Sequence, residues 1–204
     1  MEKPLLKVSV FADYICPFCY VGYVRLMRLR AHYDLRVNWC FLEIHPETPP
    51  EGQPLSALGY PPERWELMMT NLERLAAEEG LELAPRAFTT NSHRALLVAE
   101  AAKSLGATPF YALHDAIYHA YFRDGRNIGD PEALRELARS SGIPEPLVES
   151  AWRDASYEEH LRQYLAMAGK AGVRGVPTYL FGEHQLSGAV SLEVLKDAAA
   201  EAIQ

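Results

Sequence analysis

Phe11-Ala-Asp-Tyr-Ile-Cys-Pro-Phe-Cys-Tyr20 is the stretch whose reading decides the fold. Just before it, Leu5-Leu-Lys-Val-Ser-Val-Phe11 is short, apolar and rich in β-branched residues, which predicts a strand. Just after it, Val21, Val24, Met27, Leu29 and Tyr33 recur at helical spacing. The two cysteines therefore sit where a strand hands over to a helix. Pro17 suits the first helical position, where its fixed φ fits and its missing N–H would have had no partner. Cys16 then falls at or next to the N-cap. Free backbone N–H groups and the positive end of the helix dipole face its sulfur and favour the thiolate, the reactive form. Cys19 follows one turn later on the same face. Such a pair can close into a small disulfide and reopen with little backbone movement.

The chain of 204 residues is long enough for one mixed α/β domain carrying an insertion. Apolar residues make up 49% of it, ample for a packed core. The net charge of -7 argues against a nucleic-acid partner, since phosphate binding calls for a basic surface. No apolar run approaches the roughly 20 residues of a membrane span. Lys7 interrupts the one N-terminal apolar stretch, which is the first strand and not a secretory signal. The expected compartment is the cytoplasm, unless the sequence begins after a removed leader. The 3 cysteines are too few for a disulfide framework, and in a reducing compartment a close pair points to catalysis or metal.

Read in order, the chain predicts a helix from Pro17 to about Tyr33 and a second strand at Leu35-Arg-Val-Asn-Trp-Cys-Phe-Leu42. This makes a β-α-β unit with a parallel pair. Pro46, Pro49, Pro50, Gly52 and Pro54 predict a linker or lid loop without regular structure. A series of helices follows. The first runs from Pro62 to about Glu79. The next is capped by Asn91 or Ser92 and ends near Gly106, and another opens at Thr108-Pro109 and ends near Phe122. One then opens at Asp130-Pro131, and a short one runs from Pro144 to Trp152. The last has Ser156 and Glu159 as a capping box and continues to about Ala171. Strand character returns at Val176-Pro-Thr-Tyr-Leu-Phe181, pairs through a turn at 182–185 with Leu186-Ser-Gly188, and is followed by a helix that Ser191 caps. The predicted division is an α/β domain of residues 1–58 and 156–204, with an inserted helical subdomain over 59–155.

That order, with Cys-Pro-Phe-Cys after the first strand and Gly175-Val-Pro-Thr178 before the third, resembles the thioredoxin fold with a helical insertion, and most of all the DsbA family. Asp13-x-x-Cys-Pro-Phe-Cys-Tyr-Val-Gly22 together with Asn91-Ser-His-Arg94 is similar to the FrnE-like branch of that family. The resemblance implies a thiol–disulfide oxidoreductase. Cys16 would be the nucleophile and Cys19 the resolving thiol. Pro177 would be a cis proline facing the pair, and Val176 would be left free to bind a substrate chain as an added strand. Thr178, Pro17 and Phe18 would complete the substrate seat. Without the resemblance, Pro177 reads as a trans proline starting an edge strand. Phe18 stands where strongly oxidising DsbA proteins carry histidine, which predicts a less oxidising couple. The implied partners are thiol- or disulfide-containing proteins or small molecules. No cofactor is implied, with glutathione a candidate co-substrate. The oligomeric state is left open between monomer and homodimer.

Other readings compete at particular residues. Cys16, Cys19, Cys40 and His45 are a candidate zinc set, but Cys40 lies in the apolar Trp39-Cys-Phe41 and reads as a buried hydrophobe, so no metal is expected. Asp13 either tunes Cys16 or satisfies backbone groups at the turn. Asn91 and Ser92 read as a helix cap, and by resemblance to 2-hydroxychromene-2-carboxylate isomerases and kappa-class glutathione transferases they are candidate ligands near a glutathione pocket. Those enzymes carry serine where Cys16 stands here, which separates an isomerase or transferase from the redox reading. His114, Tyr118, His119 and Phe122 share a helix and read as core, or else as an aromatic wall of a groove. Trp65, Met68 and Met69 read the same way, and a client-binding, chaperone-like role for the helical part is the third alternative.

Overall fold

The computed structural model describes residues 3–85 and 87–203. Strand β1 (Leu5–Ala12) leads into helix α1 (Pro17–Met27), and the chain returns as β2 (Asp34–Phe41). The helices that follow are α2 (Pro62–Glu79), α3 (His93–Ala102), α4 (Ala107–Tyr118), α5 (Pro131–Ser140), α6 (Glu145–Ala151) and α7 (Ala155–Lys170). Two short strands, β3 (Gln53–Pro54) and β4 (Phe88–Thr89), flank α2. The chain ends with β5 (Thr178–Phe181), β6 (His184–Ser187) and α8 (Leu192–Ala202).

The main sheet has the order β2-β1-β5-β6. β1 pairs parallel to β2, from Leu5 opposite Asp34 to Ala12 opposite Phe41, and antiparallel to β5, with Phe11 opposite Thr178. β1 is the inner strand that carries the cysteines at its exit, and its residues show why. Leu6, Val8 and Val10 bury one face in the main core, and Phe11 buries the other against Cys40 and Ala168 of α7. The strand is covered on both faces only at its end, from Val10 to Ala12, and there its residues are apolar without a break. The main core also takes in Leu96 and Val98 of α3, Leu113 and Ile117 of α4, Leu134 of α5 and Val148 of α6. Helices α3 to α6 thus pack on each other and on the sheet in one body of apolar side chains, while Leu72 and Leu75 of α2 form a separate cluster with Val21 of α1.

Several boundaries differ from the sequence expectation. α1 stops at Met27, and a tighter 3₁₀ turn, Arg28–Ala31, carries the chain to β2. The proline-rich stretch is not without regular structure: Gln53 and Pro54 pair with Thr89 and Phe88, and Leu55–Leu58 form a 3₁₀ turn. A proline is tolerated there because an isolated two-strand ribbon asks no donor of its outer side. Ser156 does not cap α7. Asp154 does, accepting from Ser156 N at 2.9 Å, while Glu159 pairs with Arg162. α4 starts at Ala107 and runs into a π-helical turn at His119–Arg123.

Arg25 ties α1 to its neighbours. Its guanidinium is 2% exposed and meets Glu79 at 2.8 Å and Glu78 at 2.6 Å, both on α2. It also donates to the carbonyls of Ala189 and Val190, just past β6, at 2.8 and 3.0 Å.

Candidate functional site

The turn from β1 into α1 is built by Asp13. Its side chain accepts from Ile15 N at 3.2 Å and from Ile44 N, beyond β2, at 2.8 Å. Its carbonyl accepts from Cys16 N at 3.3 Å. Cys16 takes the N-cap position with extended backbone, and Pro17 opens the helix. Cys16 makes no side-chain cap, and its thiol instead donates to the carbonyl of Val176 at 3.6 Å. Cys19 N donates back to the carbonyl of Cys16 at 3.0 Å, which fixes the second sulfur one turn into the helix. Both cysteines are free thiols and nearly shut from solvent, Cys16 at 5% and Cys19 at 2% exposure. Burial pushes the Cys19 thiol well up, and its hydrogen bond to Cys16 raises it further.

The opposing wall is the approach to β5. The Val176–Pro177 peptide is cis. The Thr178 hydroxyl donates to the carbonyl of Gly175 at 2.8 Å, and Gly188 N donates to the carbonyl of Pro177 at 2.8 Å. Register with β1 begins only at Thr178, so Val176 lies outside the ladder with its carbonyl on the Cys16 sulfur. Pro17 and Phe18 are half-buried at the helix start, and Phe18 packs against the cluster of Val21, Leu72 and Leu75. The structure therefore brings Cys16, Cys19, Val176 and Pro177 together, with Phe18 on the rim.

Residues 7–200 match the DSBA-like thioredoxin domain. The chain belongs to this DsbA-like family. It is 26% identical over 202 residues to the uncharacterized protein YwbO of Bacillus subtilis, with 96% of each chain covered. Among solved structures it is similar to SCO1869 of Streptomyces coelicolor, a probable DsbA oxidoreductase, with 29% identity, TM-score 0.84, and 97% and 89% of the two chains covered. The cytosolic disulfide reductase DsbM of Pseudomonas aeruginosa, solved with GSH, shares the fold at 18% identity and TM-score 0.69, with 96% of each chain covered. Family membership gives the chain a DsbA-like thioredoxin domain, and within it Cys16 and Cys19 stand close.

Around this DsbA-like pair the remaining candidates take other places. Asn91 Nδ2 donates to Glu43 at 2.7 Å, and its Oδ1 accepts from His93 N at 2.9 Å. Ser92 is wholly buried beside Asp13. The two therefore engage the chain beyond β2 and the Asp13 turn. Burial of Asp13 pushes its carboxyl up to about 6. Cys40 lies on the far face of the sheet with Phe11 and Ala168, and His45 contacts Glu47 and Tyr60, so the four candidate zinc ligands are not gathered. His114 is core: it is wholly buried, holds Tyr14 Oη at 2.7 Å through Nδ1, and packs against Tyr23, Trp39 and Tyr118. Burial drives its pKa well below the ordinary range and keeps it neutral. Trp65, Met68 and Met69 lie on α2, where Met69 packs toward Val21 and Leu72. A cleft of about 850 Å³ lies elsewhere, along the outer edge of β2, and its lining includes neither Cys16 nor Cys19.

Two residues beside the pair carried little signal in the sequence. Gly22 is an isolated glycine inside a helical pattern, which usually has a packing reason. Here a Cβ would collide with the Tyr179 hydroxyl and sit 3.3 Å from Pro177 Cγ. Tyr179 itself reads only as one more aromatic strand residue. No helix among the described residues is long and apolar enough to cross a membrane.

Proposed function

We propose that this chain is a thiol–disulfide oxidoreductase that works through a mixed disulfide on Cys16. The observation that supports it is the Cys16 thiol at a helix N-cap, 3.6 Å from an unladdered carbonyl, with a second thiol one turn away. In the disulfide form a substrate thiolate attacks the Cys16 sulfur, and Cys19 leaves as thiolate. A second substrate thiol then displaces Cys16 and releases the oxidised product. In the dithiol form Cys16 attacks a substrate disulfide, and Cys19 resolves the mixed disulfide. Val176, outside the ladder, offers backbone groups to an extended substrate segment, with Pro177, Thr178, Pro17 and Phe18 shaping the seat. Glutathione is a fitting co-substrate, and the DsbM structure with GSH supports that choice. The proposed compartment is the cytoplasm.

The test is an equilibrium of the protein with glutathione buffers, read by alkylation and mass. Reversible two-electron exchange between Cys16 and Cys19 is expected, to be set against a cytosolic poise of about −220 to −320 mV. Cys16→Ser should abolish it. A Cys16→Ser protein that still turned over a glutathione-linked isomerisation would replace the redox reading with an isomerase. Phe18 adds no positive charge near the sulfurs. Phe18→His is therefore expected to stabilise the dithiol form and move the same equilibrium toward a more oxidising couple; an unmoved midpoint would show that Phe18 does not tune the pair.

A further inference from the structure

The Tyr179 hydroxyl is shut from solvent and has no hydrogen-bond partner among the described residues. Buried polar groups are nearly always paired, so an orphan asks for an explanation. Tyr179 sits opposite Val10 in the sheet, and its ring ends against α1 at Gly22, where the hydroxyl fills the space a Cβ would need. A helical side chain leans toward the helix N-terminus and covers the turn before its own Cα. The hydroxyl, standing in place of a Gly22 side chain, is therefore set over the turn that carries Phe18 and Cys19. Pro177, whose ring meets the same spot, closes it off. Burial holds the phenol above its ordinary range, and negative charge at Cys19, then Cys16, adds to that, as closeness to the sulfurs requires. Burial and the neighbouring Cys16 thiol both hold the Cys19 thiol above its ordinary range.

We propose that the Tyr179 hydroxyl is the hydrogen-bond donor for the Cys19 thiolate, idle in the dithiol and engaged when Cys19 carries charge. This rests on the redox reading above and deepens it. When a substrate thiolate attacks Cys16 in the disulfide form, the Cys16–Cys19 bond breaks as the substrate–Cys16 bond forms. The electron pair of the broken bond goes to the Cys19 sulfur. That charge appears where water does not reach, and a positioned donor stabilises it more strongly than a neutral acceptor. No proton moves, because the phenol stays protonated. In the reverse step the same thiolate attacks Cys16 and expels the substrate thiolate.

The experiment uses two backgrounds. In Cys16→Ser, where Cys19 is the remaining thiol of the pair, Cys19 is titrated by thiolate absorbance. Adding Tyr179→Phe is expected to lower its acid dissociation constant about tenfold. In the otherwise native chain, Tyr179→Phe is expected to slow reduction of the Cys16–Cys19 disulfide by dithiothreitol about fivefold, since a more basic thiolate leaves more slowly. The melting midpoint should hold or rise, because the deleted hydroxyl had no partner. A ring-fluorinated tyrosine at 179, a stronger donor on the same frame, should move the Cys19 titration the opposite way. An unmoved titration in both replacements overturns the proposal. A native chain that forms no disulfide in glutathione buffer removes the redox reading alone, and the Cys19 titration still decides the donor.

Discussion

Asp13 holds two backbone amides from a fully buried position, and its proton is held more tightly folded than unfolded. Its carboxyl ionises at about 6 in the folded chain against 3.8 ordinarily, chiefly because of burial. The stability this contributes is full below the ordinary value and is lost as pH rises through about 6. The gap between the folded and ordinary values is worth about 3 kcal/mol. Asp13→Asn should therefore flatten the slope of stability between pH 4 and 6, measured by urea unfolding at a series of pH values. An unchanged slope would mean the group titrates normally. At this scale the sequence is legible in part. The cysteines announce themselves by spacing, and the bonding of Asp13 to Ile15 and Ile44 is one of the two roles expected of it. Gly22 and Tyr179 are not legible as partners, because their meeting depends on how α1 lies over β5, and nothing local to either residue encodes that crossing.

Three elements are pinned together by His93 at the start of α3. Its ring meets Glu43, just beyond β2, at 2.9 Å and Glu158 of α7 at 2.6 Å. Glu43 leads the effects that raise its pKa to about 9 from 6.5. The imidazolium thus favours the folded state below the ordinary value, and that help fades as pH rises through about 9. The pair is partly exposed, so solvent screening reduces its worth. His93→Gln should lower the melting midpoint at pH 7 and remove the further decline of stability between pH 7 and 9.5; a parallel decline in both proteins would sink the assignment. Most elements are legible because period and punctuation agree along their length. β3 and β4 are not, because Gln53 and Thr89 find each other across α2, and such pairing is invisible to local propensity. The start of α7 differs from expectation because Asp154 competes for the cap two residues before Ser156.

On the scale of the whole molecule, the division into residues 1–58 with 156–204 and an insert of 59–155 is a proposal about topology. The main cluster of the core crosses that division: Leu6, Val8 and Trp39 share it with Leu96, Leu113, Leu134 and Val148. α7 joins that cluster through Leu161, and its Ala168 packs with Phe11 and Cys40 on the second face of β1. An excised 59–155 fragment would expose the helical faces that now rest on the sheet, and it should show no cooperative thermal transition by circular dichroism, whereas the whole chain should unfold in one. A sharp transition of the fragment at the temperature of the whole chain would make the insert an independent domain. The order of strands and helices can be read from the sequence because connections between neighbouring elements are short and right-handed. The sharing of the core cannot, since an amphipathic helix shows that it has a buried face without showing what covers it.

The outer edge of β2 is bordered by Lys3, Arg30, Arg36 and Lys103, of which Arg36 pairs with Asp34 and Lys103 with Glu100. Asp34 N and Leu42 N both turn toward β1, to the carbonyls of Pro4 and Ala12, so the odd-numbered residues between them present their amides and carbonyls outward. Lys103 already occupies one of these, the carbonyl of Trp39, at 2.6 Å. A second copy that tried to extend the sheet by pairing the same edge would bring the charged side chains of the two copies face to face. In a chain that is acidic overall, these basic residues gather along β2, one of the two edge strands of the sheet, and charged side chains on an edge disfavour strand-to-strand pairing between copies.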